Sequence, residues 1–396
     1  MKIATVSGDD VQGDDPLWLC AALAARGHEA TAYMRRPDRR AGPASPGYRV
    51  VSTRIGPRAV ESPPAVLPYV GEWAAALERA WSSDRPDVVH AYGWLGGLAA
   101  QLAARRQRIL TVQTFLGLAS TSAPWRVDDP HEEIERQRIE RLLARGATWV
   151  TGECTADVDA LARLRRGRTR VCSLGSGVDI ERYCPVGPAG ARDGRHRVLC
   201  LAPNPLWPSG IDIAIRALPR VVGTELVVAE TAARDRGHDE ARARLKRLAA
   251  ELGVADRVRF AGTVGDDELP VLLRSADVVA CTPRQPPRAD SVLRAMACGV
   301  AVLALPVGVL TDVVVDAVTG VVLAQQSPAA LAAGLRNLLT QGFYCQSMGA
   351  AGRSRAVSRF TWDRIALDSL NIYRQLDPER AHSAELPAMR APVMES

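Results

Sequence analysis

The feature that most restricts this chain is an alternation. Short apolar runs recur along it, and each is followed by a longer stretch with helical spacing. Residues 2–7 open the series, and Pro16 suits the first turn of a helix ending near Ala25, where its missing N–H is not needed. Further strands are expected over 29–33, 50–53, 87–90, 109–114, 149–151 and 170–173, with helices over 67–81, 95–104, 131–144 and 155–164. In the 67–81 stretch, Trp73, Leu77 and Trp81 share one helical face. When a helix separates each strand from the next, successive strands run the same way. The pattern therefore predicts a mostly parallel sheet covered on both faces.

The rhythm stops over 184–195, where Pro185, Gly187, Pro188, Gly190 and Gly194 make a linker composition. It then restarts, with strands over 198–202, 226–229, 258–261, 277–281, 302–304 and 321–323. Helices are expected over 210–218, 239–252, 267–274, 291–298, 310–316 and 329–339. The reading is α/β: two Rossmann-like parallel-sheet domains, 1–183 and 196–360, facing a cleft, since ligands of such sheets bind beyond the carboxyl ends of the strands. A length of 396 residues accommodates both domains. Residues 377–396 mix Pro, Ser and charge without periodicity and are expected to form a disordered tail.

Composition closes off several functions. The 50 Lys and Arg against 44 Asp and Glu leave a net charge of +6, too dilute for a nucleic-acid surface. The acids and bases of 132–145 balance each other, as on a solvated helix face. Lys2 and Lys246 are the only lysines, which with heavy Ala, Gly and Pro usage points to a high-GC bacterial source. The first residues lead into Gly8, Asp9 and Asp10 without an apolar signal core, and no run reaches the ~18–20 apolar residues of a membrane span. A cytoplasmic location is expected. The 8 cysteines are scattered with no Cys-x-x-Cys pair, and the 6 histidines are as dispersed, so no metal site is expected.

The second half contains a more specific series. Arg274-Ser275-Ala276-Asp277-Val278-Val279-Ala280-Cys281-Thr282-Pro283 is followed by Ala295-Met296-Ala297-Cys298-Gly299. Then come Val307-Gly308-Val309-Leu310-Thr311-Asp312 and Asp316-Ala317-Val318-Thr319-Gly320. Upstream lie Gly177-Val178-Asp179, Ile180 and Tyr183, and in the first half Arg26-Gly27-His28-Glu29, Asp87-Val88-Val89-His90-Ala91 and Val112-Gln113-Thr114-Phe115. In this order, over roughly residues 1–340, the series resembles the retaining GT-B glycosyltransferases of family 4. Within them it is most similar to the actinobacterial branch that includes the N-acetylglucosaminyltransferase of mycothiol synthesis. The resemblance implies sugar transfer from a nucleotide-linked donor to a small-molecule acceptor, with retention at the anomeric carbon and no metal or other cofactor. It places the donor on the second domain and the acceptor on the first, and it implies a final helix, 361–376, returning to the first domain. A homo- or hetero-oligomer with another glycosyltransferase is among the partners it allows.

The same resemblance shows what this chain lacks. Asn204 and Ser209 stand where the family has the arginine and lysine that hold the donor diphosphate. Pro286 and Arg294 stand at its two glutamate positions, and Leu116 at its first-domain histidine. The glycine loop after the first strand carries Asp9, Asp10, Asp14 and Asp15 beside Gly13. Each missing cation forfeits a charge-assisted hydrogen bond of roughly 1.5–3 kcal/mol, and carboxylates facing a phosphate would repel it. Arg284, Arg288 and Arg294 bracket the donor loop as compensating cations, and the amides opening the 291–298 helix remain an anion site. The donor-binding set is therefore Gly13, Asn204, Ser209, Arg284, Arg288 and Arg294. On the acceptor side, Tyr92, Trp94 and Gln113 lie at strand ends expected to face the cleft. His90 is the candidate general base, with a core histidine as the alternative. Trp207, between Pro205 and Pro208, reads equally as a stacking platform or a lid. Two readings stand: a divergent glycosyltransferase of natural-product type, and a noncatalytic relative acting as accessory partner or binding module. Another GT-B chemistry, such as epimerisation, is a third.

Overall fold

The computed structural model describes residues 1–11, 13–35, 47–57, 63–121, 130–232 and 237–376. The expected tail over 377–396 lies outside these. The first sheet contains β1 (Lys2–Ser7), β2 (Glu29–Arg35), β3 (Arg49–Thr53), β4 (Val88–Tyr92), β5 (Leu110–Phe115), β6 (Trp149–Gly152) and β7 (Val171–Ser173). Its order is β3-β2-β1-β4-β5-β6-β7, with every pair parallel. The helices α1 (Asp15–Ala25), α2 (Val70–Ser83), α3 (Trp94–Gln107), α4 (Pro130–Gly146) and α5 (Thr155–Arg165) alternate with its strands. In α2 the expected face is the buried one, Trp73, Leu77 and Trp81 being fully enclosed.

The second sheet contains β8 (His196–Ala202), β9 (Thr224–Glu230), β10 (Val258–Thr263), β11 (Val278–Cys281), β12 (Ala301–Ala304) and β13 (Gly320–Val322), in the order β10-β9-β8-β11-β12-β13, again parallel throughout. Around it lie α6 (Ile211–Ala217), α7 (His238–Glu251), α8 (Glu268–Arg274), α9 (Asp290–Ala297), α10 (Leu310–Val313), α11 (Pro328–Thr340) and α12 (Gly342–Arg359). The sequence shows no signal for α12. Its three glycines depress helical propensity, yet Gly349 is needed: a Cβ there would stand 2.1 Å from the Gly299 carbonyl oxygen. The helix expected over 310–316 ends at Val313, because Val314 is already extended.

The last helix, α13 (Trp362–Leu376), packs on the first domain. Its Ile365, Ala366, Leu370, Ile372, Tyr373 and Leu376 share a buried cluster with Ile3, Leu17, Leu23, Val88 and Val112. Fully burying one such large side chain contributes roughly 1.5–3 kcal/mol, so the helix is integral to the first domain's core. Just before it, the Val178 amide donates to the Phe360 carbonyl (2.7 Å), tying the interdomain segment to the return of the chain. Among the described residues no helix is long and apolar enough to cross a membrane.

Candidate functional site in the interdomain cleft

Strand order reverses direction at β1/β4 in the first sheet and β8/β11 in the second, and the loops leaving these strands face each other. They enclose a cleft of about 870 Å³. The first domain contributes Gly13, Asp14, Asp15, Trp18, Leu116, Gly117 and Arg136, and the second contributes residues from 200–211, 263–266 and 280–294. The joining segment lines it with Gly177, Val178, Asp179, Arg182 and Tyr183.

The loop after β8 is closed upon itself. Ser209 Oγ donates to the Asn204 carbonyl (2.7 Å), and Asn204 Oδ1 accepts from the Leu206 amide (3.2 Å). Gly210 then turns the chain at φ +63°, where a Cβ would strike the Thr282 carbonyl oxygen at 1.8 Å. Asn204 and Ser209 line the cleft but bring no charge to it. Trp207 points outward and is 48% exposed, with the Arg284 guanidinium 4.9 Å over its ring. Arg284 also binds Asp212 through two hydrogen bonds (2.5 and 2.7 Å) and is not among the cleft-lining residues. The expectation that Arg284 meets a donor is corrected: the Asp212 carboxylate already neutralises it.

Arg288 lines the cleft and its charge is neutralised too, although its Nη1 has no hydrogen-bond partner among the described residues. It donates to Asp15 and to Ser176 Oγ (2.7 Å), and its Nε lies 3.4 Å from Glu153 Oε1. Burial opposes its charge, but Asp15, Glu153 and Asp290 hold it protonated more firmly than an ordinary arginine. Burial in turn pushes Glu153 up to about 7 despite the pull of Arg288.

Arg294 differs. It lines the cleft half-buried, with its guanidinium 5.4 Å over the Tyr183 ring, and its side chain makes no hydrogen bond or ion pair among the described residues. The other cleft arginines are neutralised: Arg136 by Glu140 (2.8 Å) and Arg182 by Asp267 (2.8 Å). Arg294 is thus the uncompensated cation of the cleft among the described residues. Pro286 and Ser209 line the same cleft, and none of these three positions offers it a carboxylate.

The expected acceptor residues do not reach the cleft. α3 starts at Trp94, directly after Gly93, so no loop is left to carry side chains outward. Tyr92, Trp94 and Gln113 are buried; Gln113 Nε2 donates to the Gly93 carbonyl (2.7 Å) and the Trp94 amide to Asp10 (2.6 Å). His90 is fully enclosed, with Nδ1 2.6 Å from Tyr373 Oη and Nε2 2.6 Å from Thr114 Oγ1. Burial lowers it to about 3, so it is a neutral core group and cannot meet an acceptor. The acidic loop is divided: Asp14 and Asp15 line the cleft, while Asp9 and Asp10 are absorbed by the fold. Asp9 pairs with Arg35, and Asp10 caps the start of α3, where burial raises it to about 6 against the pull of the Leu95 and Trp94 amides.

Several lining residues had no sequence signal of their own. Trp18 and Trp362 stack 6.2 Å apart at the cleft edge, bridging α1 and α13. Trp18 lies three positions after Asp15, hence on the same helical face, a relation visible once Asp15 is placed. Among the described residues no group of three or more His, Cys, Asp or Glu is arranged to hold a metal ion.

Comparison with known proteins bears on this architecture. Residues 196–355 match the family of glycosyl transferases group 1, and residues 15–177 match the glycosyl transferase 4-like domain. A D-inositol 3-phosphate glycosyltransferase of Xylanimonas cellulosilytica is 30% identical over 386 residues, covering 92% of this chain and 91% of that protein. One from Salinispora tropica is 29% identical over 346 residues, covering 82% and 71%. Among solved structures, sucrose-phosphate synthase from Thermosynechococcus elongatus superposes with a TM-score of 0.81 at 22% identity, over 95% of this chain and 99% of that one. The Anabaena protein HepE, in complex with UDP and glucose, superposes with a TM-score of 0.71 at 18% identity, over 97% and 100%.

Proposed function

The chain belongs to the group 1 glycosyltransferases of the GT-B fold, and from that premise we propose that it is a divergent transferase of an actinobacterial cytoplasm, serving natural-product biosynthesis. It moves a sugar from an activated, nucleotide-linked donor to a small-molecule acceptor, with retention at the anomeric carbon and without metal or cofactor. The observation that carries this reading is Arg294, a charge left open in a cleft walled by both domains. In this reading the donor lies against the loops after β8 to β11, and its leaving phosphate meets the Arg294 guanidinium. A fixed cation stabilises negative charge as it develops on the leaving group, which is where electrostatic catalysis gains most. The acceptor enters along Trp18, Trp362, Gly117 and Arg136, and the inositol phosphate in the relatives' name makes a phosphorylated polyol the first one to try.

Calorimetric titration with a panel of nucleotides and nucleotide sugars tests this. The changed lining predicts weak or no binding of ordinary UDP- and GDP-sugars, and binding of another anionic donor that is lost in Arg294→Glu. Micromolar binding of UDP-N-acetylglucosamine would show that the donor preference is not divergent.

The self-closed 204–209 loop favours a second reading, a noncatalytic accessory partner of an intact glycosyltransferase. Turnover by the purified chain alone excludes it. Stable co-purification with a neighbouring transferase, with no turnover alone, replaces the first reading by the second.

A further inference from the structure

Arg288 joins the two domains through a cluster that carries more negative charge than positive. Its guanidinium comes from the loop between β11 and α9, and its partners Asp15, Ser176 and Glu153 stand on the far side of the cleft. Asp290, the first residue of α9, is 3.8 Å away. Ser176 Oγ is shared between Asp15 (2.6 Å) and Glu153 (3.2 Å). The β1–α1 loop presses close to α9: a Cβ on Gly13 would lie 3.8 Å from Asp290 Oδ2 and 3.9 Å from Asp15 Oδ1. Closing the cleft therefore gathers three carboxylates on one cation, a net −2 when all are ionised, with Asp15 and Glu153 side chains only 9% and 5% exposed. Like charges brought together away from water take up a proton rather than remain all ionised.

We infer that the domains close with uptake of a proton by the Asp15–Glu153 pair, so that Arg288 clamps the cleft shut in mildly acidic solution and lets go when the pair ionises. The inference stands whether or not the cleft transfers a sugar. Burial, then the charges of Asp15 and Asp290, lift Glu153 to about 7 against Arg288, and Asp15 is raised as well. Tyr92 also faces Asp15 and Arg288, and burial keeps its phenol neutral. The sign follows from linkage. A carboxylate raised in the closed form favours closure below its ordinary range, and that preference is lost as pH rises through the closed-form value near 7.

Hydrogen exchange in the full chain tests the clamp, read in segments 13–18 and 286–294 and corrected for intrinsic rates. Protection in both segments is expected to fall at least tenfold between pH 6 and 8.5. Glu153→Gln is expected to stay protected across the range, and Arg288→Gln to lose protection throughout it. Wild-type protection that does not change with pH, or Glu153→Gln following the wild type, overturns the inference. Should Glu153→Gln fail to fold, Asp290→Asn serves instead: removing one of the crowded charges must blunt the opening at pH 8.5, and an unblunted opening overturns the inference equally.

Discussion

Arg288 and Arg294 lie six positions apart, one in the loop before α9 and one within it, and both line the same cleft. One is enclosed by Asp15, Ser176 and Glu153 from the opposite domain. The other rests on the face of Tyr183 and has no ion pair among the described residues. A cation's worth to a ligand depends on what already neutralises it. Arg288 is structural glue, and Arg294 is available.

The comparison breaks most visibly through stability. Arg288→Ala takes the cation from Asp15 and Glu153, which opening of the cleft can rehydrate, and is expected to cost about 1–3 kcal/mol, measured as a shift of the denaturant midpoint. A loss below about 1 kcal/mol would mean that Arg288 is as free as its neighbour. Arg294→Ala should do the reverse: stability within ~0.5 kcal/mol of the parent, but binding of the anionic ligand found by titration weaker by about 1.5–3 kcal/mol, with partial recovery in Arg294→Lys. Equal affinity in parent and variant removes Arg294 from the site.

His90 sharpens the contrast between core and cleft. Its imidazole is depressed to about 3 by burial, so the stability it confers is complete above its ordinary value near 6.5 and is lost as pH falls from there towards 3. An NMR titration should show no His90 transition between pH 5 and 9; a midpoint in that window would return it to the catalytic candidates. The smallest effect is expected at Asp312, which crosses the interface to accept from the Thr155 amide at the start of α5 (2.5 Å). Asp312→Ala should cost about 0.5–1 kcal/mol and speed exchange of that one amide.

The two parallel sheets were legible because each strand, and the helices that alternate with them, carry their own local pattern. α12 was not, since Gly349 answers to a backbone approach from Gly299 that no local pattern encodes. The altered positions Asn204, Ser209, Pro286 and Arg294 do line the cleft, as the ordered series of motifs implied. The roles of the three arginines could not be separated beforehand. Asp212 lies 72 residues from Arg284, and Asp15 lies 273 from Arg288, so the neutralising partners are set by tertiary structure alone. Tyr92 and Trp94 were expected in a loop after a strand ending at His90, but β4 runs to Tyr92 and α3 opens at Trp94, and a helix that begins without a connecting loop turns a strand end into core.

The seating of α13 has a consequence for how the chain is made. A ribosome delivers the first sheet long before it delivers Tyr373, which closes over His90, or Leu370 and Leu376, which cover α1. Through most of synthesis the amino-terminal half keeps an oily face bare, and it is sealed only once residues 362–376 emerge. Nascent chains halted before that point should therefore be the ones that chaperones hold.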